Sequence, residues 1–432
     1  MTLTKAKQYY FFNMRGEYMI HKIIGVGAGP NNLSIFALTK KISREKFFIL
    51  EKNDSIKWHQ GMMIDNATLQ NNIAKDLVTL ADPTSEYSIL NYLHEKKRIY
   101  EFISNNNRFY RREYEDYLRW VAGKLNNIKY DEKVYNIKDK NGYYEIITDK
   151  DVYKAYNVCI AVGRQEYIPE SFNGAVDNKI IFHSCNYLYN KETLKNKNVL
   201  IVGGGQSAAE IFLDLIKGEC IPKSITWVSR RYNLLQINES CFDNYLYTPS
   251  YVSYFLNLDK EAKDFLLKSQ KMTSDGINPE TLDEVYAFLY KNKLINGDKI
   301  DVNFHMSSEV IFENITKDNI NVIVRNNITK SERTVIVDAT VLCTGYVQNK
   351  TPDILKELSS SSSNYDDFVY DNDYSVKKNE NGKIYLINAG VNHFGVSDPN
   401  ISLCAWRSSI IVNSIFGQEI YKTPQYMDSI LC

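Results

Sequence analysis

Two glycine-rich segments of the same design are the residues of this 432-residue chain best suited to chemistry. The first is Gly25-Val26-Gly27-Ala28-Gly29-Pro30, and the second is Gly203-Gly204-Gly205-Gln206-Ser207-Ala208. Glycines let the backbone approach a pyrophosphate closely, and the free N–H groups at the start of a following helix hold its negative charge. A chain with two such loops can bind two dinucleotides and pass electrons from one to the other.

The elements around each loop are those that a dinucleotide site requires. Apolar runs, Lys22-Ile23-Ile24 and Val199-Leu200-Ile201-Val202, come directly before the loops, and helix-like stretches follow over Asn32–Lys41 and Ser207–Lys217. This order of strand, glycine loop, helix and second strand is more specific than the glycines alone. The sequence therefore predicts an α/β fold with two Rossmann-like dinucleotide-binding domains and a smaller, mostly helical substrate region.

The residues that end the second strand of each unit distinguish the two ligands. Glu51, followed by Lys52, lies 26 residues after the first glycine of its loop, and Ser229-Arg230-Arg231 begins at the same offset in the second unit. A carboxylate accepts hydrogen bonds from a free ribose and repels a phosphate. Guanidinium groups instead bind a ribose 2′-phosphate through charge-assisted bidentate bonds. The first site is therefore predicted to bind FAD and the second NADPH.

Composition and charge exclude several other classes of protein. Lys plus Arg and Asp plus Glu number 52 each, so nothing favours nucleic acid or an anionic surface as a partner. Seven scattered cysteines without a Cys-x-x-Cys motif predict reduced thiols. The N-terminus lacks the long apolar core of a signal peptide, and no stretch approaches the length of a membrane span. We expect a soluble cytoplasmic protein.

Two strand-end segments predict how the chain is divided into domains. Ala161-Val162-Gly163 and Cys343-Thr344-Gly345-Tyr346 each follow an apolar strand, where two-nucleotide flavoproteins pass the chain between their nucleotide domains. Two ordinary turns are the alternative interpretation. The predicted parts are 20–170 (FAD domain, first part), 171–232 with 300–340 (NADPH domain), 233–299 (helical substrate region) and 341–432 (FAD domain, C-terminal part).

Residue periodicity predicts several elements outside the glycine loops. Apolar residues at helical spacing predict a helix over Tyr114–Leu125. A run of β-forming residues predicts one continuous strand over Thr334–Val341. The C-terminal part is predicted to contain a strand over Ile384–Asn388 and then a helix over Leu403–Phe416.

Longer segments carry a specific family resemblance. They are Gly25–Ile35, Trp58–Met62, Lys75–Val78, Pro83–Ser88, Asp116–Trp120, Gly205–Glu210, Trp227–Arg231, Gln270–Ile277 and Ser402–Arg407. Through them the chain resembles the flavin-dependent N-hydroxylating monooxygenases of hydroxamate siderophore synthesis, especially the lysine 6-monooxygenases, from Lys22 to about Gly417. The resemblance implies that NADPH reduces FAD, that O2 forms a flavin hydroperoxide, and that a small primary amine takes up one oxygen atom.

The resemblance also implies roles for residues outside the glycine loops. The residues implied to contact a cofactor are Trp58, His59 and Gln70 at the flavin, Thr273 and Ser274 near the nicotinamide, and Thr344 with Gly345. The residues implied to contact the substrate are Lys75, Asn244 and Ser402. Lys75 would pair with the carboxylate of an amino-acid substrate. No catalytic side chain or metal ligand is predicted, because the flavin carries the difficult step.

The reaction requires that any such pocket bind the amine in its neutral form. Only a neutral amine is nucleophilic, whereas a lysine-like amine has a pKa of about 10.4. At neutral pH about three pKa units, or roughly 4 kcal/mol, must be overcome. A partly desolvated pocket lowers the pKa of the amine and supplies part of that free energy.

The identity of the amine stays open at the level of the sequence. Three departures from the family pattern lie close to the predicted pocket, namely Leu69–Ala74, Tyr245 and Asn392-His393-Phe394-Gly395. Lysine or a related small amine is predicted, with ornithine, putrescine, cadaverine and histamine as alternatives. The family resemblance also points to a homo-oligomer, in the form of a tetramer.

Three other functions are weighed against the amine hydroxylase. A flavoprotein disulfide reductase needs a redox Cys pair near the flavin, which this chain lacks. A carbon- or sulfur-oxidising monooxygenase would not explain the segments Lys75–Val78 and Gln270–Ile277. A non-catalytic NADPH-binding regulator would be purified without flavin colour.

Overall fold

The structure is a computed structural model that describes residues 19–43, 47–69, 72–105, 109–295, 300–316, 319–347, 353–358 and 368–422. Gln70, predicted at the flavin, lies outside these residues. Across the described ranges, no helix combines the length and the apolar character that a membrane crossing requires.

The chain alternates between strands and helices. In chain order the strands are β1 (Ile20–Val26), β2 (Phe48–Leu50), β3 (Ile128–Lys129), β4 (Val134–Asp139), β5 (Tyr144–Thr148), β6 (Val152–Ile160), β7 (Gln165–Glu166), β8 (Ile181–His183), β9 (Asn198–Val202), β10 (Ser224–Val228), β11 (Asp301–His305), β12 (Ser308–Ile315), β13 (Ile320–Asn326), β14 (Glu332–Val337), β15 (Ala339–Leu342), β16 (Tyr346–Val347), β17 (Ser375–Lys378) and β18 (Lys383–Leu386). The α-helices are α1 (Pro30–Ile42), α2 (Ile89–Glu95), α3 (Ile99–Ser104), α4 (Arg111–Leu125), α5 (Tyr187–Asn190), α6 (Gln206–Lys217), α7 (Pro249–Leu256), α8 (Lys260–Ser269), α9 (Met272–Asp275), α10 (Pro279–Leu294), α11 (Val391–Phe394) and α12 (Cys404–Phe416).

The first sheet contains the first glycine loop. Its strand order is β17-β18-β6-β1-β2-β3, and β5 pairs antiparallel with the N-terminal part of β6 and joins β4 to the sheet. The central strands β18, β6, β1, β2 and β3 run parallel. Helix α1 is almost entirely buried and contacts both α4 and α12. The glycine loop therefore lies at the carboxyl end of β1, whose last four residues are buried, and this end is where open α/β sheets bind their ligands.

The second sheet contains the second glycine loop and is parallel throughout. Its strand order is β11-β10-β9-β15-β8. Helix α6 connects β9 to β10, and its Phe212 packs against Trp227 of β10, with ring centroids 5.2 Å apart. Both sheets have the strand–glycine loop–helix order, so the predicted α/β fold with two Rossmann-like units is confirmed.

The predicted single strand over Thr334–Val341 is wrong. The chain forms β14 in an antiparallel sheet with β12 and β13, and then β15 in the second parallel sheet. Asp338 separates the two strands, because its backbone and carboxylate form hydrogen bonds with Asn198 at the start of β9. This tertiary contact turns the chain from one sheet into the other. The domain boundary placed between 340 and 341 falls within β15, and we now propose it at 343.

The chain passes between the two parallel sheets in two segments, called here the crossing segments, which contain β7 and β16. Strands β7 and β16 pair antiparallel, with Tyr346 opposite Glu166. Helices α7 to α10 fill most of the interval predicted as helical, 233–299, although α8 has no buried residue. The division of the chain into domains otherwise remains as proposed from the sequence.

A carboxylate at Asp373 links the end strands of the first sheet to α12. It accepts hydrogen bonds from Lys383 at 2.5 Å, Ser375 at 2.6 Å and Ser414 at 2.6 Å. Burial alone would raise the pKa of Asp373, but these partners lower it from 3.8 to about 2. The carboxylate therefore stabilises the fold above pH 3.8, and this contribution is lost as the pH falls through about 2.

Replacing Asp373 with asparagine is expected to lower the free energy of unfolding by about 2 kcal/mol at pH 7. The difference from the wild type should shrink as the pH falls from about 4 to about 2. Urea unfolding at a series of pH values measures it. The nearby exposed Asp371→Asn variant serves as the control, and a deficit that stays constant with pH would contradict the ionic explanation.

Candidate functional site

The first glycine loop leads from β1 into α1. Gly27 has φ +89°, a left-handed conformation that glycine adopts without strain, and a Cβ there would approach the carbonyl oxygen of Ala161 to 2.6 Å. At Gly29, by contrast, the Cβ position meets no described heavy atom within 4 Å. Pro30 begins α1, where its missing N–H is not needed. A closely wound loop with an open face before a helix N-terminus fits a pyrophosphate.

Glu51 both anchors this loop and marks the ribose position. Its buried carboxylate accepts hydrogen bonds from the N–H of Ala28 at 2.7 Å and the N–H of Asn53 at 2.9 Å. A third hydrogen bond, at 2.6 Å, comes from the side chain of Asn53. A carboxylate has about four acceptor sites, so one remains for a ribose hydroxyl. Lys52, also predicted at the cofactor, is exposed.

The second glycine loop has a comparable geometry. Gly203 has φ +141°, and a Cβ there would collide with the carbonyl oxygen of Cys343. Gly204 packs against the hydroxyl of the buried Ser229, where a side chain on Gly204 would also collide. Among the atoms that the structure describes, only the carbonyl oxygen of Asp275 lies near the Cβ position of Gly205, at 3.6 Å. The small Ser229 therefore permits the close approach of loop and strand end.

A basic cavity adjoins this second loop. Its volume is about 480 Å³, and its charged lining residues are Arg230, Arg231, Lys268 and Lys271. The two arginines differ, because Arg231 donates to the carbonyl oxygens of Gly204 and Asp275, each at 2.9 Å, whereas Arg230 is exposed. Arg231 thus holds the glycine loop, while Arg230 and the two lysines remain to meet a phosphate.

Replacement of Arg230 and replacement of Arg231 should have different effects on the selectivity between NADPH and NADH. We expect Arg230→Ala to weaken NADPH binding about 10- to 100-fold with little effect on NADH, since hydrogen bonds to charged groups contribute about 1.5–3 kcal/mol. Arg231→Ala should weaken both cofactors, because it also releases Gly204. Titrations of each variant with NADPH and NADH measure the effects. Equal losses of both cofactors in Arg230→Ala would contradict the 2′-phosphate assignment.

Trp58 and His59 lie together near the crossing segments. Their ring centroids are 4.8 Å apart, and His59 is 6.3 Å from Tyr346 of β16. His59 has a left-handed backbone with φ 52° and is exposed. Desolvation and the nearby Arg111 lower the pKa of His59 to about 4. The ring is therefore neutral at physiological pH and adds no charge beside the flavin position proposed here.

Lys75 and Thr273 meet through a tyrosine that the sequence did not single out. The ammonium of Lys75 lies 5.9 Å from the ring centroid of Tyr247. The Tyr247 hydroxyl in turn donates to the carbonyl oxygen of Thr273 at 2.7 Å. Lys75 is half-buried, and desolvation lowers its pKa. Among the described residues, no acidic side chain lies within ion-pair distance of Lys75.

The other predicted residues of this region are more exposed. Asn244 lies on the 3₁₀ segment that also carries Tyr247, and its side chain donates to the carbonyl oxygen of Glu239 at 3.4 Å. Ser274 is exposed beside the buried Thr273, and its hydroxyl donates to the carboxylate of Asp275 at 2.9 Å. Both therefore lie next to residues that border Lys75, Asn244 on the segment of Tyr247 and Ser274 beside Thr273.

Ser402 lies beside the first glycine loop instead. It is buried, and its hydroxyl donates to the side chain of Asn400 at 2.7 Å. The following Cys404 approaches the carbonyl oxygen of Pro30 at 3.6 Å. A buried ion pair holds the segment, because Arg407 bonds Asp398 at 3.1 Å and also donates to the carbonyl oxygen of Asn400. Ser402 is thus fixed next to the start of α1.

Thr344 and Gly345 belong to the crossing segments. The Thr344 hydroxyl and the Gly345 carbonyl both bond the backbone of Tyr167. His183 Nε2 lies 3.0 Å from the Gly345 carbonyl oxygen, and its Nδ1 accepts the N–H of Cys185. Both nitrogens are therefore engaged, so the cluster of His183, Cys185 and Glu166 is a hydrogen-bond network rather than a set of free metal ligands.

Sequence reasoning missed the residues that join distant parts of the site. They are Tyr247, Lys268, Lys271 and Arg111, together with Glu210, whose carboxylate forms an ion pair with Arg111. Lys268 lies two residues before the motif that begins at Gln270 and Lys271 lies within it, so a count of cations around that motif would have found them. The contacts of Tyr247 and Arg111 are visible only in three dimensions.

Comparisons with known proteins agree with this geometry. The profile of the family described as L-lysine 6-monooxygenase/L-ornithine 5-monooxygenase matches residues 19–348. The L-lysine N6-monooxygenase of Escherichia coli is 31% identical over 406 residues, which cover 92% of this chain and 95% of that protein.

Solved structures of amine hydroxylases are similar over almost the whole chain. The cadaverine monooxygenase of Erwinia amylovora, solved with FAD, superposes with a TM-score of 0.87 at 26% identity, covering 95% of this chain and 98% of that one. The ornithine N-hydroxylase of Kutzneria sp. 744, solved with reduced FAD, NADP+ and L-ornithine, gives a TM-score of 0.83 at 26% identity. That match covers 92% of this chain and 99% of the other.

Proposed function

The chain belongs to the L-lysine 6-monooxygenase/L-ornithine 5-monooxygenase family, and from this premise we propose that it hydroxylates the terminal primary amine of a small amino acid, with L-lysine as the first candidate. It is an FAD- and NADPH-dependent flavoprotein monooxygenase, an amine N-hydroxylase of the kind that supplies hydroxamate siderophore synthesis. The choice of an amino acid rests on one observation, the half-buried ammonium of Lys75, which has no acidic partner among the described residues.

The glycine loops fit the two cofactors of this class. Gly27, Gly29 and Glu51 provide the winding, the open face and the ribose acceptor for FAD. Gly203, Gly205 and the basic cavity provide the corresponding features for NADPH. Bound FAD supplies electron acceptance and O2 activation. The chain supplies binding, orientation and protection from water.

A substrate carboxylate is the partner that Lys75 lacks. An ammonium that is partly removed from water without a counter-ion is costly, and a carboxylate from the substrate would offset that cost. A diamine would instead place a second cation near Lys75, where the two charges repel. We therefore propose lysine or ornithine ahead of cadaverine, putrescine and histamine.

The reacting amine also needs a partly desolvated environment. Desolvation lowers the pKa of Lys75, and we propose that similar desolvation around the terminal amine of the substrate disfavours its protonated form. We propose that Asn244, Thr273, Ser274 and Ser402 complete the contacts to the nicotinamide and substrate. Neutral His59 adds no positive charge that would repel the incoming molecule.

The proposal is tested with purified enzyme, NADPH and a panel of lysine, ornithine, cadaverine, putrescine and histamine. NADPH and O2 consumption are measured together with the hydroxylamine product. With ¹⁸O2 as the oxidant, the labelled oxygen should appear on the terminal nitrogen of the preferred amine. NADPH oxidation that yields only peroxide with every amine would contradict hydroxylation, and a preference for a diamine would contradict the role of Lys75.

We also propose a homo-oligomer, a tetramer by the family resemblance, in the cytoplasm. Helix α10 supports self-association, because Tyr286, Tyr290 and Leu294 form an exposed stripe at helical spacing. Acidic Asp283 precedes the stripe and basic Lys293 lies near its end, so an antiparallel second copy would be complementary in charge. Light scattering gives the mass, and a monomer would contradict the proposal.

The free thiols of the described cysteines support the cytoplasm, a reducing compartment, as the proposed location.

A further inference from the structure

We infer that Arg111 and Glu210 are a positioning pair that fixes the two nucleotide-binding units relative to each other. Arg111 begins α4, which packs on the first sheet, and Glu210 lies in α6, which follows the second glycine loop. The inference rests on the proposed two-nucleotide chemistry, because flavin reduction requires that the nicotinamide reach the flavin.

The contact has the geometry of a strong ion pair. Arg111 donates to both carboxylate oxygens of Glu210, each at 2.8 Å. The two side chains are only 19% and 9% exposed. A planar guanidinium that binds a carboxylate at two points fixes the direction as well as the distance of the contact. A surface ion pair joined at one point, such as Arg112 with Asp65, constrains orientation far less.

The position of Arg111 on its helix is costly without a partner. It is the first residue of α4, where the helix dipole disfavours a cation. Its backbone N–H is held by the carbonyl oxygen of Ala67, and one guanidinium nitrogen lies 3.5 Å from the carbonyl oxygen of Met62. Glu210 compensates the charge from the opposite unit, so the pair favours one arrangement of the two units.

A hydrogen-bond chain extends the pair into the NADPH loop and α10. Gln206 donates to Glu210 at 3.0 Å and to Thr281 at 3.2 Å, and its side-chain oxygen accepts the N–H of Asn278 at 2.8 Å. Gln206 is the first residue of α6, directly after Gly205. The pair therefore acts on the loop predicted to hold the NADPH pyrophosphate, and Arg111 also lies close enough to His59 to lower its pKa.

The test uses Arg111→Lys, which keeps the charge but removes the two-point contact, and Glu210→Gln. In the protein without cofactors, hydrogen–deuterium exchange should become faster at the start of α4 and in α6. In the loaded enzyme, the limiting rate of anaerobic flavin reduction by NADPH should fall at least about 10-fold, because small misplacements of reacting groups have effects of that order. In Arg111→Lys the dissociation constant of NADPH should stay within about 2-fold of the wild-type value, since Gln206 keeps its hydrogen bond to Glu210 and Arg111 itself lies outside the phosphate contacts.

Arg112→Lys is the matched control, one residue along the same helix, and it should behave as the wild type in both measurements. Unchanged exchange, or unchanged flavin reduction, in Arg111→Lys would overturn the inference. A loss of NADPH affinity that accounts for the slower reduction would also overturn it. If the wild-type enzyme is not reduced by NADPH at all, the proposed function fails, while the exchange measurement still tests the contact between the two units.

Discussion

Replacing Lys75 with methionine is expected to raise the KM for L-lysine about 100-fold and to leave anaerobic flavin reduction by NADPH unchanged. Methionine keeps the apolar stem beside Tyr247 but removes the half-buried charge. Loss of a charge-assisted contact with the substrate carboxylate costs about 2–3 kcal/mol, or up to about two powers of ten. Cadaverine, which lacks a carboxylate, should be used about equally by wild type and variant. Steady-state kinetics with both amines measure the change in selectivity.

Lys96→Met is the matched control for this experiment. Lys96 also lies over a tyrosine ring, at 5.8 Å from the centroid of Tyr92, but it is exposed and paired with Asp116 at 3.3 Å. It should leave both KM values unchanged. A similar loss of lysine and cadaverine turnover in Lys75→Met would show that Lys75 supports the pocket rather than the carboxylate.

The nucleotide units could be predicted from the sequence because their determinants are local. Gly27 and Gly203 adopt backbone conformations that favour glycine, and each follows a strand and precedes a helix within about ten residues. The residues at the second strand ends, Glu51 and Ser229, take their positions from the same short unit. A pattern of this kind carries fold and ligand class together, independently of the rest of the chain.

The parts that could not be predicted depend on contacts between distant residues. Arg111 and Glu210 are 99 residues apart in sequence, and no local pattern marks them as partners. The break at Asp338 is set by hydrogen bonds to Asn198, against a local preference for continuous strand. The sequence could assign Arg231 to the NADPH site. It could not show that the guanidinium is bonded to backbone carbonyl oxygens instead of being free to bind a phosphate, because those bonds depend on the folded loop.

Glu51 also anchors the first glycine loop, so its replacement is expected to weaken FAD binding strongly. In Glu51→Ala the buried N–H of Ala28 and the two Asn53 donors lose their acceptor. Each buried donor left without a partner costs about 1–3 kcal/mol. The first glycine loop should therefore relax, and the dissociation constant of FAD should rise at least about 100-fold. Flavin absorbance of the purified protein and titration of the apoprotein with FAD measure this change.

Two further variants separate loop anchoring from ribose recognition. Glu51→Gln keeps one side-chain oxygen for Ala28 but loses the negative charge and one acceptor, so FAD binding should weaken less than in Glu51→Ala. Asp54→Ala removes a nearby exposed carboxylate that accepts a hydrogen bond from Ser55 at 2.7 Å and pairs with Lys57 at 2.9 Å on the surface, and this variant should bind FAD normally. If Glu51→Ala retained FAD with wild-type affinity, neither the ribose contact nor the loop anchor would contribute to binding. A smaller loss in Glu51→Gln than in Glu51→Ala is the expected result, because glutamine keeps an acceptor for the N–H of Ala28 while it loses the charge and one acceptor site.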